Sequence, residues 1–243
     1  MHYGCREGTV TQHRISLNLY YQPLPGETIE QRHSEVKAAL QRLDPPFGWK
    51  GLKVPELEIG DNLQALLTFE YPKRGTGCLG QYENRELALK RNTKAYDDKL
   101  HLIFFEPDPD IDYRACLSEG YPKLIAAYRA YRAYLGFDTL VSDYEFDMES
   151  DPVLMRFRAD PEIDTNGRNN IFTLSSAMYW GGDLCKLALG YDRDEVIRRL
   201  QGKVPLVMPL MDGVYTVFSD NPDLTYEEFV AINDRFKPVL GLT

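Results

Sequence analysis

The sequence is poor in the residues that staple or metallate small proteins. Its four cysteines, Cys5, Cys78, Cys116 and Cys185, stand far apart in 243 residues, with no C-x-x-C pair. A disulfide framework is the mark of a short secreted chain, so these are expected to be isolated reduced thiols. The four histidines, His2, His13, His33 and His101, form no H-x-x-x-H pair, and zinc-site spacing is missing. No stretch reaches the roughly 18 apolar residues of a transmembrane helix. The opening MHYGCREGTVTQHR lacks the apolar segment of about 7–15 residues that a signal peptide needs. The expectation is a cytoplasmic protein without a membrane partner.

Catalytic signatures are missing as well. The chain contains neither a G-x-x-x-x-G-K-[ST] phosphate loop nor a G-x-S-x-G elbow. No serine or cysteine has a histidine that sequence alone pairs with it, although a triad can be built from distant residues. GTGCLG, Gly75 to Gly80, does match G-x-G-x-x-G between a strand and a helical pattern. A dinucleotide fingerprint needs the strand to run directly into the glycines and an acid to close a second strand about 20 residues on. Here Pro72, Lys73 and Arg74 intervene, and Asp97 and Asp98 precede a strand. A flexible turn is the expected structure. An enzyme using the 73–80 loop on a nucleotide or phosphorylated substrate is the alternative function. The main expectation is a protein that is not an enzyme, with no catalytic residues, no cofactor and no metal.

Positive charge is in short supply. Lysine and arginine number 28 against 37 acids, a net charge of −9. Between Glu106 and Asp164 stand 14 acids and 6 bases, while the remainder carries 23 and 22, so nearly all the excess lies in one block. Such a field repels nucleic acid and attracts basic partners, so no direct nucleic-acid binding is expected of it.

Core material is plentiful: 43 % of residues are hydrophobic and 12 % aromatic. Ile15, Leu17, Leu19 and Tyr21 alternate with polar or aromatic neighbours, predicting a strand. Ile29, Val36, Leu40 and Leu43 recur at helical spacing. ALLTFEY (65–71) and LHLIFFE (100–106) predict strands, and 81–96 predicts a helix. Residues 113–135 predict one long helix, with Tyr121, Tyr128, Tyr131 and Tyr134 as a packing stripe. Arg129 and Arg132 among tyrosines resemble single-strand nucleic-acid binders, but a helical stripe beside an acidic segment favours core packing. Trp49 and Trp180 are expected as core anchors. Residues 150–170 are loop-like. Then GDLCKLALG and DRDEVIRRLQG predict helices, the second with Asp192 as N-cap. VPLVMPLMDGVYTVFSD predicts a hairpin turning at Asp212-Gly213. LTYEEFVAINDRFKPVLGL predicts a helix opened by a Thr225–Glu228 capping box. The order implies an α+β fold with a mixed, largely antiparallel sheet and flanking helices. One unit spanning 1–243 is expected, with a weak seam in the 150–170 loop.

The centre of the acidic block is VSDYEFDMESD, Val141 to Asp151. Asp143, Glu145, Asp147, Glu149 and Asp151 occupy alternate positions, with Tyr144, Phe146 and Met148 between them. On a strand this makes one face a carboxylate ladder and the other an apolar rib. Neighbouring carboxylates would stand about 6.5–7 Å apart, near the range of an inverting glycosidase pair. Catalytic pairs flank a cleft, however, and calcium needs converging oxygens, so a fanned row fits neither. A solvated face and a protein-docking surface both remain open. Acids are poor strand formers and like charges repel across a sheet, a cost that a basic partner would relieve.

From Trp180 to Leu242, about a quarter of the chain, the sequence resembles bacterial polymorphic-toxin immunity proteins, specifically the immunity protein fifty-two family. Trp180, Leu184-Cys185, Leu189-Gly190, the hairpin around Asp212-Gly213, Phe218 and the closing FVAINDRFKPVLGL carry the resemblance. It implies a cytoplasmic, non-catalytic protein that binds and neutralises a cognate toxin. That toxin would typically be a nuclease effector of a type VI secretion or related system, with a basic surface. The five acids of the ladder are the expected toxin-binding residues by their charge, not by any motif of that family.

Overall fold

The computed structural model describes residues 15–71, 76–89, 97–104, 112–149, 155, 159–164 and 167–242. Eight strands form one sheet in the order β2-β3-β4-β1-β5-β6-β8-β7. They are β1 (Ile15–Tyr21), β2 (Ala65–Glu70), β3 (Thr76–Tyr82), β4 (Asp98–Phe104), β5 (Arg132–Phe137), β6 (Ala177–Trp180), β7 (Leu206–Leu210) and β8 (Gly213–Val217). Every pairing is antiparallel. With its flanking helices this is the expected α+β fold. β5 and β6, which lie on either side of the 150–170 segment, pair directly from Arg132↔Trp180 to Leu135↔Ala177. One sheet therefore joins the described strands on both sides of that segment.

Strand alternation decides what each face holds. Leu17, Leu19 and Tyr21 of β1 point with Leu100 and Leu102 of β4 and Ala133 and Leu135 of β5 into the larger core. That face is covered by α1 (Ile29–Leu40) and by α3 (Tyr113–Ala115), which continues through a π-helical turn (Cys116–Gly120) into α4 (Tyr121–Tyr128). Trp49 is fully buried there. On the opposite face, α6 (Gly182–Leu184), its π-helical continuation (Cys185–Leu189), α7 (Arg193–Leu200) and α8 (Tyr226–Leu240) cover β6, β8 and β7. Trp180 anchors that second core. Both tryptophans are the core anchors expected of them. Over β2, β3 and β4 the same face is more open: Leu66, Thr68 and Glu70 are exposed and Lys99, His101 and Ile103 half-buried.

Local signals explain the well-placed helices. Thr28 caps α1 and Thr225 caps α8, each with a reciprocal capping box. Asp192 caps α7 by accepting from the Glu195 amide. The Glu195 carboxylate does not reach back; it accepts from Arg198 and Arg199 instead. A short helix α2 (Arg85–Ala88) starts at Asn84, whose side chain accepts from two amides.

Four expectations are corrected. GTGCLG is no flexible turn: Thr76 to Gly80 lie in β3, hydrogen-bonded to strands on both sides. Of the expected 81–96 helix, the described residues show Arg85–Ala88, with Gln81 and Tyr82 ending β3; residues 90–96 lie outside those described. The long 113–135 helix stops at Tyr128, where Arg129 takes a left-handed φ of 56° and Ala130 donates back to the Ile125 carbonyl. Beyond it Ala133, Leu135 and Phe137 alternate inward, with Tyr131 just before β5 and Tyr134 within it, so neither belongs to a helix. The hairpin link is Met211-Asp212, and Gly213 already pairs with Leu210 as the first residue of β8.

Candidate interaction site

A fifth correction concerns the acidic segment itself. Residues Asp138–Asp147 form a helix, α5, not a strand. The hydrophobic residues explain why. Leu140 and Tyr144 are four apart and buried, and Val141 and Met148 pack beside them against Phe229 of α8 and the neighbouring Leu224. This is helical periodicity; only the acids alternate by twos. Tyr144 packs edge-on to Phe229, and its hydroxyl accepts from Lys237.

Winding the segment into a helix redistributes the ladder. At about 100° per residue, Asp143 and Asp147 stack on one flank of the buried stripe and Glu145 and Glu149 on the other. Between them, facing outward, lies Phe146, 74 % exposed, where the strand expectation had it packed inward. Asp143, Glu145, Asp147 and Glu149 are all exposed; three of the five expected residues lie on α5 and Glu149 just beyond its end, and together they make two rows. Asp151 lies outside the described residues.

The electrostatics of α5 are unfavourable to the helix. Asp143–Asp147 is a like-charge pair at i,i+4, costing about 0.2–0.5 kcal/mol. Asp147 and Glu149 also sit at the end where the helix dipole disfavours anions. One local contact offsets part of this: Tyr226, at the start of α8, donates its hydroxyl to the Asp147 carboxylate. Burial and that carboxylate push the Tyr226 hydroxyl up to about 12. Asp143 and Glu149 make no ion pair among the described residues.

Phe146 is the residue that reasoning by alternation missed. Its signal was the spacing Leu140–Tyr144–Met148, which turns Phe146 to the opposite side. The arginines fall apart from one another: Arg129 pairs with Glu35 on the surface, whereas Arg132 lies over the ring of Tyr20. Among the described residues no group of His, Cys, Asp and Glu is arranged to hold a metal ion. No described helix is long and apolar enough to cross a membrane.

No family model matches the chain, and no curated protein does. Among solved structures the fold is similar to that of the Pseudomonas aeruginosa T6SS protein PA0821. The two are 12 % identical with a TM-score of 0.50, over 93 % of this chain and 77 % of that one. At that identity the likeness speaks to the fold alone.

Proposed function

We propose that this chain is a cytoplasmic immunity protein that binds and neutralises a cognate secreted toxin, through α5 and without catalysis of its own. The observation that carries the reading is Phe146, exposed between two rows of carboxylates. An aromatic side chain that no core holds, ringed by charge, has the composition of an interface hot spot: the ring is the anchor and the acids form the rim. The acids steer a basic partner toward the site and set the register. A nuclease is the toxin class that fits, because its nucleic-acid groove supplies the basic surface.

Two further points support the reading. The chain from Trp180 onward resembles polymorphic-toxin immunity proteins, and a solved protein of similar fold is described as a T6SS protein. The like-charge pair Asp143–Asp147 of α5 is also a stability cost that a basic partner would relieve. The alternative of a nucleotide enzyme loses its motif, since Gly77 and Gly80 lie inside β3 and not at a turn before a helix.

The test is protection. Co-expression of this chain with the secreted nuclease encoded beside its gene should rescue growth, and Phe146→Ala should abolish the rescue while leaving expression unchanged. Absence of any toxin gene nearby, or full rescue by the Phe146→Ala protein, would remove the reading.

A further inference from the structure

The face of the sheet opposite the larger core carries a second charged arrangement, of the opposite sign. Tyr20 of β1 pairs with Lys99 of β4 on one side and Arg132 of β5 on the other. The three side chains form a row across three strands on one face. The Arg132 guanidinium carbon lies 4.1 Å from the centre of the Tyr20 ring, and the Lys99 ammonium 5.6 Å from it. In the next row Tyr134 stacks with Tyr20 at 6.1 Å between centroids.

Neither cation makes an ion pair or a hydrogen bond among the described residues, and Arg132 Nε is a buried donor without a partner. Asp97 attracts Arg132 at a distance. Its carboxylate is already taken by Arg168 and by the Tyr131 hydroxyl. Gly167 crosses above Arg132 so closely that a Cβ there would lie 2.0 Å from Nη1. With φ at 73°, that glycine leaves the guanidinium room that no other residue would. In a chain of net charge −9, two adjacent cations without a bonded anion are out of character.

From this juxtaposition we infer that the Lys99–Tyr20–Arg132 row binds a carboxylate side chain of a partner protein. The guanidinium supplies Nη donors in the fork geometry that suits a carboxylate, and the ammonium supplies a point charge across the ring. Beside the row stand Leu79 and Ile103, half-buried, and Leu66, exposed; none of them belongs to a core cluster among the described residues. Tyrosine, arginine and aliphatic side chains on a flat face suit a protein surface. A nucleic-acid strand would find two cations in this row among the described residues, against the acidic field of the chain. The inference stands apart from the toxin reading, because it concerns a different face and a partner group of opposite charge.

The test is a titration followed by NMR, with the arginine and lysine side chains and tyrosine rings labelled. The probe is a short peptide rich in glutamate and tyrosine. Inorganic phosphate, a thymidine oligonucleotide and a lysine-rich peptide are run in parallel. The acidic peptide should shift the Arg132 Nε, Lys99 Nζ and Tyr20 ring signals, added salt should weaken it, and Lys99→Glu should cut its affinity about tenfold. Lys99 is half-buried and unbonded, so this variant keeps the fold even if Arg132→Gln does not. No shift at these groups, or an undiminished shift in Lys99→Glu, would overturn the inference. So would phosphate or the oligonucleotide matching the affinity of the peptide.

Discussion

Arg168 grips Asp97 with two nitrogens, Nε at 2.8 Å and Nη2 at 2.6 Å, and both side chains are buried. The pair ties the segment leading into β6 to the residue just before β4. Arg168 Nη2 also donates to the Ala88 carbonyl, and Tyr131 donates to the other oxygen of Asp97. A buried pair has already lost its hydration, so removing one member strands the other. Arg168→Ala should cost about 3–5 kcal/mol in urea unfolding. Replacing both residues by apolar ones of similar volume should cost less than either single change.

Gly213 illustrates a glycine kept for space. A Cβ there would stand 2.0 Å from the Trp180 carbonyl oxygen, where β8 passes β6. Gly213→Ala must push the strands apart and should lower stability by about 1–3 kcal/mol. The control is Gly190→Ala, which meets nothing within 4 Å but holds a φ of 72°. Only backbone strain should register there, at roughly 1 kcal/mol.

Three buried cysteines predict alkaline sensitivity. Burial pushes the thiols of Cys78 and Cys185 up to about 12 and that of Cys116 to about 11, from an ordinary 9.0. Unfolded, these thiols ionise first, so the folded chain holds more protons above pH 9. Stability is then complete below about pH 9 and declines as pH rises toward 11–12. The urea midpoint should fall between pH 8 and pH 10.5, and replacing Cys78 by alanine should flatten part of that slope while costing packing energy.

Phe146 and Tyr144, two residues apart on α5, should separate binding from folding. Tyr144 is 4 % exposed and packed on Phe229. Tyr144→Ala should therefore destabilise by about 3–5 kcal/mol, the range for a buried ring. Phe146→Ala should change thermal stability by no more than about 0.5 kcal/mol and weaken toxin binding by about 2 kcal/mol or more. Equal effects of the two changes on stability would place Phe146 in the core.

Much of the fold was legible because its elements carry two independent local signals. β1 shows alternation and ends at PLPG; α1 and α8 show apolar spacing and capping boxes; α7 has Asp192 before it and Gly202 after it. The failures came where one signal was read alone. In α5 the alternation of acids describes solvent exposure, whereas Leu140, Tyr144 and Met148 hold the structural information. Tyr128, Tyr131 and Tyr134 kept helical spacing across a boundary that only the left-handed Arg129 marks. GTGCLG reads as a turn by its glycines, but Thr76, Cys78 and Gly80 are the inward positions of a strand wedged between two others. The Lys99–Tyr20–Arg132 row was illegible for another reason: its members come from three strands, and only their register brings them together.

The central claim rests on α5, and the association rate measures it most directly. Asp143, Glu145 and Asp147 should be changed together to lysine, and binding to the cognate nuclease followed by stopped flow at several salt concentrations. The account predicts a fall in the association rate of at least about tenfold at low salt, with the difference shrinking as salt screens the field. An unchanged association rate with undiminished protection in cells would contradict it.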